Sequence, residues 1–183
     1  MDDKRRHIIE CALAELQEDG FASFTQTKVA KRAGLRQSHL TYYYPTRDDL
    51  VIAVAEAAME RQVAALDGLL AGKPLHNAPE QIAQLLGRKE NARVLLALVQ
   101  GADHEPRLQP RFADFAATMR ERAAALLAGD LGRRVPVLDT YLLHALCVGL
   151  AVLGLALDDE DGGHARKVAV IKAAVQKLGL SAD

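Results

Sequence analysis

The sequence predicts an all-α fold, with three short N-terminal helices followed by a larger helical region. Three observations carry this prediction. Half of the 183 residues are hydrophobic, and only 4% are aromatic, with no Trp. Ala and Leu dominate, so good helix formers outweigh the aromatic and β-branched runs that strands require. Apolar residues recur at helical spacing along most of the chain, and capping residues or helix breakers separate the periodic segments. The length suffices to bury a core without staples.

The first helix is expected over about residues 4–18, where Ile8, Ile9, Ala12, Leu13 and Leu16 share a face and Gly20 offers a left-handed cap. Thr25 is a good N-cap for a short second helix through Val29, Ala30 and Ala33. Phe24 is placed to staple onto Val29, and Gly34 stops the helix. A third short helix carries Ser38 to Tyr44 and ends at Pro45. Thr46-Arg47-Asp48-Asp49 has a hydroxyl at the cap and an acid three residues later, and opens a long helix towards Leu70 that breaks at 71–74. Further helices are expected over 80–86, 89–102, 107–128, 136–157 and 165–178. The breaks fall at Gly87, 106–110, 129–132 and 158–163.

Overall charge says little, with 23 basic against 24 acidic residues. Its distribution says more. Residues 20–47 contain no acid but carry Lys28, Lys31, Arg32, Arg36 and Arg47, a candidate footprint for nucleic acid that a solvated helix face would equally explain. Cys11 and Cys147 match no metal spacing and, among apolar neighbours, read as two buried reduced thiols. The start, MDDKRRHIIE, lacks the apolar stretch of a signal peptide, so a cytoplasmic protein is expected. Residues 140–157 carry no formal charge and touch the lower length for a membrane span. Without aromatic belts or flanking basic clusters, a helix in a core or subunit interface explains them better.

No catalytic motif is present. The six His residues are scattered, and there is no HExxH, GxSxG, Walker loop or GxGxxG. The DDEDGG run at 158–163 lacks the alternating ligands of a calcium loop, and His104 beside Asp103 is a meagre metal site. No enzyme, metal or cofactor is expected.

Two short helices joined by a Gly-containing turn and backed by an amphipathic helix outline a helix-turn-helix over residues 1–47, with residues 48–183 as a second domain. The second helix would offer its N-terminus, with Thr25, Gln26 and Thr27, to a phosphate. The third would enter the major groove. With Leu40 inward, Ser38 and Tyr42 point outward and His39 and Thr41 flank them. Arg36 and Gln37 lead the helix and suit guanine and adenine edges, while Tyr42, Tyr43 and Arg47 suit phosphate or sugar. Tyr44 should turn into the core beside Leu40.

The run TQTKVAKRAGLRQSHLTYYYPTRDDL resembles the DNA-binding region of the TetR family of regulators. That family has a Thr-led second helix with "IA..AG", a "VS.GTLYYYF" recognition segment and a "SKE.L" helix start. Matching positions are Val29-Ala30, Ala33-Gly34, Leu35, Leu40, Tyr42-Tyr43-Tyr44, Thr46-Arg47-Asp48 and Leu50, within a likeness covering about residues 4–54. Arg36 stands where the family often has Ser, Ser38-His39 replaces Gly-Thr, and Thr41 replaces a Tyr. These departures fall on the face that selects sequence, so the operator cannot be borrowed from relatives.

The resemblance implies a sequence-specific regulator of double-stranded DNA, a repressor released from a palindromic operator by a small-molecule effector. It also implies a homodimer through the last two long helices. Residues 140–157 are apolar nearly all round, and the last helix carries Val168, Ile171, Val175 and Leu178 as a stripe, with Lys167, Lys172 and Lys177 outside it. Met59, His104, Phe112, Phe115, Met119 and His144 are candidate effector contacts, though residues of these types at helical spacing are more often core. The scarcity of aromatics favours an aliphatic or flexible effector. The alternative is a soluble helical ligand-binding or scaffold protein that no longer reads DNA.

Overall fold

A computed structural model describes residues 3–70, 78–131, 134–157 and 163–180. Among them the chain forms helices α1 (Asp3–Asp19), α2 (Gln26–Arg32), α3 (Gln37–Tyr43), α4 (Arg47–Leu70), α5 (Ala78–Leu86), α6 (Lys89–His104), α7 (Leu108–Leu131), α8 (Val137–Ala156) and α9 (Gly163–Lys177), with no strand. Two compact units result, one of residues 1–61 and 93–113, the other of 62–92 and 114–183, so α4, α6 and α7 each contribute to both.

In the first unit α2 packs on α1 and α3. Phe24, Ile8, Leu40, Leu50, Val29 and Val54 are almost wholly buried, each gaining about 1.5–3 kcal/mol from leaving water. The local signals hold. Thr25 accepts the Lys28 backbone N–H at 3.2 Å, and Phe24 and Val29 lie under the cap, both buried. Gly34 adopts φ 66°. Its N–H donates to the Lys31 carbonyl, and the Leu35 N–H donates to that of Ala30 at 2.9 Å, which closes the helix in a Schellman motif. Thr46 and Asp49 exchange hydrogen bonds at 3.1 and 3.2 Å, a complete capping box. Gly101 of α6 sits where a Cβ would meet Leu108 and Val51 at 3.3 and 3.6 Å, so α6 lies close against the neighbouring side chains.

One buried charge is matched. Glu15 of α1 is only 4% exposed, and its carboxylate takes Arg32 at 3.1 Å and Lys28 at 3.5 Å from α2. Arg32 also forks onto Glu18, and Lys28 onto Asp19. Burial of a carboxylate requires such partners.

In the second unit α5 and α8 both pack on α9 and touch one another. Leu66, Ala83, Ala92, Phe115, Ala151, Ile171 and Leu180 form its buried apolar set among the described residues. Lys167 differs from the sequence expectation. It was expected outside, yet it is 5% exposed: the Cε and Nζ at its tip lie against Gly154 of α8, where a Cβ would come within 2.9 Å of both. The helix α7 runs through the expected break at Gly129 to Leu131. It also starts ahead of Pro110, which the first turn tolerates because that turn needs no N–H donor. The expected breaks at 71–74 and 158–162 lie outside the described residues.

By length and composition α8 could cross a membrane. Val137, Leu138, Tyr141, Leu142, Leu153 and Leu157 on or just beyond it are exposed.

Candidate nucleic-acid interface

All the sequence-predicted DNA contacts fall in the first unit, on α2, α3, their N-caps and the first residue of α4. Leu40 at 0% exposure and Tyr44 at 8% fasten α3 to the core. Opposite them Ser38, His39 and Tyr42 are exposed, with Tyr42 at 81%. Thr41 is half-buried and donates its hydroxyl to the Ser38 carbonyl at 3.1 Å, so it flanks the outward face.

The leading end of α3 is open. Arg36 is the N-cap, yet its side chain makes no capping bond and is exposed. Its guanidinium remains available for a guanine edge or a phosphate. The Gln37 Oε1 accepts from the Thr27 hydroxyl at 3.1 Å. This link steadies α3 against α2. The second Oε1 lone pair leaves a bidentate adenine contact open.

Several predicted contacts also hold the motif together. Thr25 caps α2. Gln26 donates to the Tyr44 carbonyl at 2.8 Å and so ties α2 to the end of α3. Arg47 donates through Nε to the Phe24 carbonyl at 3.2 Å, while its guanidinium lies over the Phe21 ring. Lys28 bonds Asp19 at 3.0 Å, a pairing that raises the ammonium pKa and lowers the carboxyl's. The acid-free run therefore overstates the local field, because α1 neutralises Lys28 and Arg32. Of the five cations in that run, Lys31, Arg36 and Arg47 are exposed without an ion pair. Tyr43 is half-buried and touches Tyr42 edge to face at 5.2 Å.

Sequence reasoning missed Arg5, whose guanidinium stands 5.9 Å from the Tyr43 ring centroid. The basic run Lys4-Arg5-Arg6 was the available signal. It also missed the buried Glu15, which nothing in a helical pattern separates from its exposed neighbours.

The effector candidates divide between the units. Met59, His104 and Phe112 fall in the first, Phe115, Met119 and His144 in the second. Met59 and Phe115 are buried, Phe112, Met119 and His144 half-buried. Burial, then the Arg120 charge, pushes the His144 imidazole below its ordinary pKa. His104 is exposed, donates from Nδ1 to the Gln100 carbonyl at 2.9 Å and tilts towards Phe21.

This arrangement defines a class: a recognition helix with an exposed polar face, in a helix-turn-helix that belongs to an all-helical chain. Residues 8–54 match the sequence profile of the bacterial regulatory proteins, tetR family. No curated protein matches the chain. Solved structures do match over nearly its whole length. A transcriptional regulator from Rhodococcus sp. Rha1 is 21% identical, with a TM-score of 0.78 over 94% of this chain and 96% of its own. A TetR transcription regulator from Haloarcula marismortui is 20% identical, with 0.76 over 97% and 98%. The multidrug binding protein EbrR, complexed with imidazole, is 25% identical, with 0.63 over 93% and 94%. The chain is a DNA-binding transcriptional regulator that carries the DNA-binding region of the TetR family.

Proposed function

We infer that the protein is a homodimeric, ligand-responsive repressor, acting in the cytoplasm on a palindromic operator. The observation that carries this reading is the uncovered apolar face of α8. Leu138, Leu142 and Leu153 follow one another along it at helical spacing and are 66, 48 and 55% exposed. A contiguous apolar surface of this kind marks an interaction site. Ala165, Ala169 and Ala173 of the adjoining α9 are exposed four residues apart, leaving room for a close helix. A second copy fits this surface, because a two-fold interface also matches a palindromic site. Covering α8 in this way removes it from water without a membrane.

In this reading residues 1–47 read DNA and residues 48–183 hold the dimer and the effector. Arg36, Gln37, Ser38 and His39 face bases. Thr25, Gln26, Thr27, Lys28, Thr41, Tyr42, Tyr43 and Arg47 position the motif on the backbone. EbrR binds small molecules on a similar fold, which supports an organic effector contacted by some of Met59, His104, Phe112, Phe115, Met119 and His144. Release from DNA then follows from an effector that prefers the protein with α4 pivoted and the two recognition helices respaced.

The test is the double variant Arg36→Ala/Tyr42→Ala. It should remain a folded dimer by sedimentation and lose operator binding. Retained binding with wild-type affinity sinks the assignment of the reading face, and a monomeric wild-type protein sinks the dimer.

A further inference from the structure

We propose, on the reading of a ligand-responsive regulator, that Arg120 of α7 with Tyr141 and His144 of α8 holds the carboxylate of an organic monocarboxylic acid, whose apolar tail runs along Phe115 and Met119. These residues all belong to the second unit. The arginines of α7 differ in what they meet. Arg111 pairs with Glu56 and Arg122 with Asp67, both acids of α4. Arg120 instead turns to α8 and lies over the Tyr141 ring, its guanidinium carbon 5.4 Å from the centroid. It is half-buried, yet among the described residues it makes no hydrogen bond and no ion pair. A guanidinium drawn partly out of water lacks compensation there, because an aromatic face accepts none of its N–H bonds in the way an oxygen does.

The surroundings of Arg120 select the ligand. Tyr141 and His144 are three residues apart on α8 and so share a side of that helix. Neither side chain makes a hydrogen bond among the described residues. A phenol O–H and an imidazole N–H therefore stand beside the guanidinium with their donors unused. Burial, then the Arg120 charge, holds the imidazole below its ordinary pKa, so at pH 7 it is neutral. The cluster thus carries a single positive charge. A carboxylate matches that charge and takes a guanidinium through two parallel hydrogen bonds. A phosphate monoester brings about −1.5 to −2 charge, more than the cluster balances. The tail is set by α7 itself. Phe115 and Met119 stand one turn apart beside the strip that carries Arg120, the first buried and the second half-buried. A ligand held at Arg120 therefore has an apolar strip within reach of its next carbons.

The full chain is titrated by calorimetry with acetate, butyrate, hexanoate and octanoate and with the matching primary amides. Affinity should rise about fourfold for each methylene that reaches the apolar strip. Each acid should bind about 10- to 100-fold tighter than its amide, the range of a hydrogen bond to a charged group. Arg120→Gln should bring octanoate down to the level of octanamide and leave octanamide unchanged. Arg120→Lys, which keeps the charge without the fork, should retain part of the preference for the acid. Both variants should keep their helix content by circular dichroism and remain dimeric by sedimentation. Equal affinity for acid and amide overturns the proposal, as does wild-type octanoate binding by Arg120→Gln or no binding by the whole series. A monomeric Arg120→Gln overturns it too, because Arg120 and Tyr141 would then serve the subunit contact. Operator anisotropy with and without octanoate separates the site from the reading beneath it. Octanoate that binds through Arg120 without releasing operator leaves the site and refutes ligand-responsive repression by it. Release by a compound that binds Arg120→Gln as well as wild type leaves that repression and refutes the site.

Discussion

Replacing Gly34 by Ala isolates the contribution of one turn to the DNA-binding motif. Gly34 has φ 66° and sits at the Schellman closure of α2. A Cβ built there meets nothing within 4 Å. The cost is therefore conformational rather than steric. An alanine held in the left-handed region costs about 1–2 kcal/mol, and its stiffer unfolded chain returns about 0.4–1 kcal/mol. The expected net loss is about 1 kcal/mol, and less for Gly34→Asn, which tolerates that conformation. For a chain of this size the corresponding fall in Tm is about 2–4 °C. Urea unfolding followed by helical circular dichroism should show a lower midpoint with an unchanged m-value. Operator affinity well below the midpoint should stay within about twofold, because α3 keeps its anchors Leu40 and Tyr44. Wild-type stability for Gly34→Ala would refute the argument by showing that the turn is not held as described. A loss above about 3 kcal/mol would refute it by revealing a clash.

Other outcomes follow from the same structure. Tyr42→Ala, at a side chain 81% exposed, should leave stability within about 0.5 kcal/mol yet weaken operator binding by about 1.5–3 kcal/mol, the scale of a hydrogen bond to a charged group. Equal binding in an anisotropy titration would remove Tyr42 from the interface. The Asp49 carboxyl is held below its ordinary pKa by the Thr46 hydroxyl first, then by the Thr46 backbone and Arg107. Its stabilisation is therefore present above the unfolded aspartate range and is lost as pH falls through the folded value. Thr46→Ala should cost about 1 kcal/mol at neutral pH and make the acid limb of a pH–stability curve shallower, whereas an unchanged limb would deny the cap. Leu138→Glu/Leu142→Glu should give monomers in sedimentation equilibrium, and a persistent dimer would place the interface elsewhere. Burial pushes the Cys147 thiol up to about 11, so iodoacetamide at pH 8 should leave it unmodified in the native protein. Rapid native labelling at Cys147 would contradict that burial.

What was legible in the sequence was local. Thr25, Gly34, Pro45 and the Thr46–Asp49 box act within a few residues of themselves, and each set the expected boundary. The face of α3 was legible because a single 3.6-residue period places Tyr42 opposite Leu40. What stayed hidden depends on partners distant in sequence. Lys28 and Arg32 read as free cations until α1 brought Glu15, Glu18 and Asp19 to them. Lys167 read as a surface residue until Gly154 of α8, with no side chain of its own, left room for its Cε and Nζ. The division into two units cuts through α4, α6 and α7, and no capping signal marks a cut inside a helix. Of the effector candidates the sequence offered residue type alone, which does not separate a core Met59 from an exposed His104.

The most direct test of the central claim is anisotropy of the purified protein against palindromes selected from a random pool, titrated with salt and random-sequence competitor. The account predicts tight binding that survives competitor, weakens steeply with salt and has a stoichiometry of one dimer per palindrome. Binding to selected palindromes no tighter than to random DNA would contradict it and leave a helical protein whose recognition helix reads nothing.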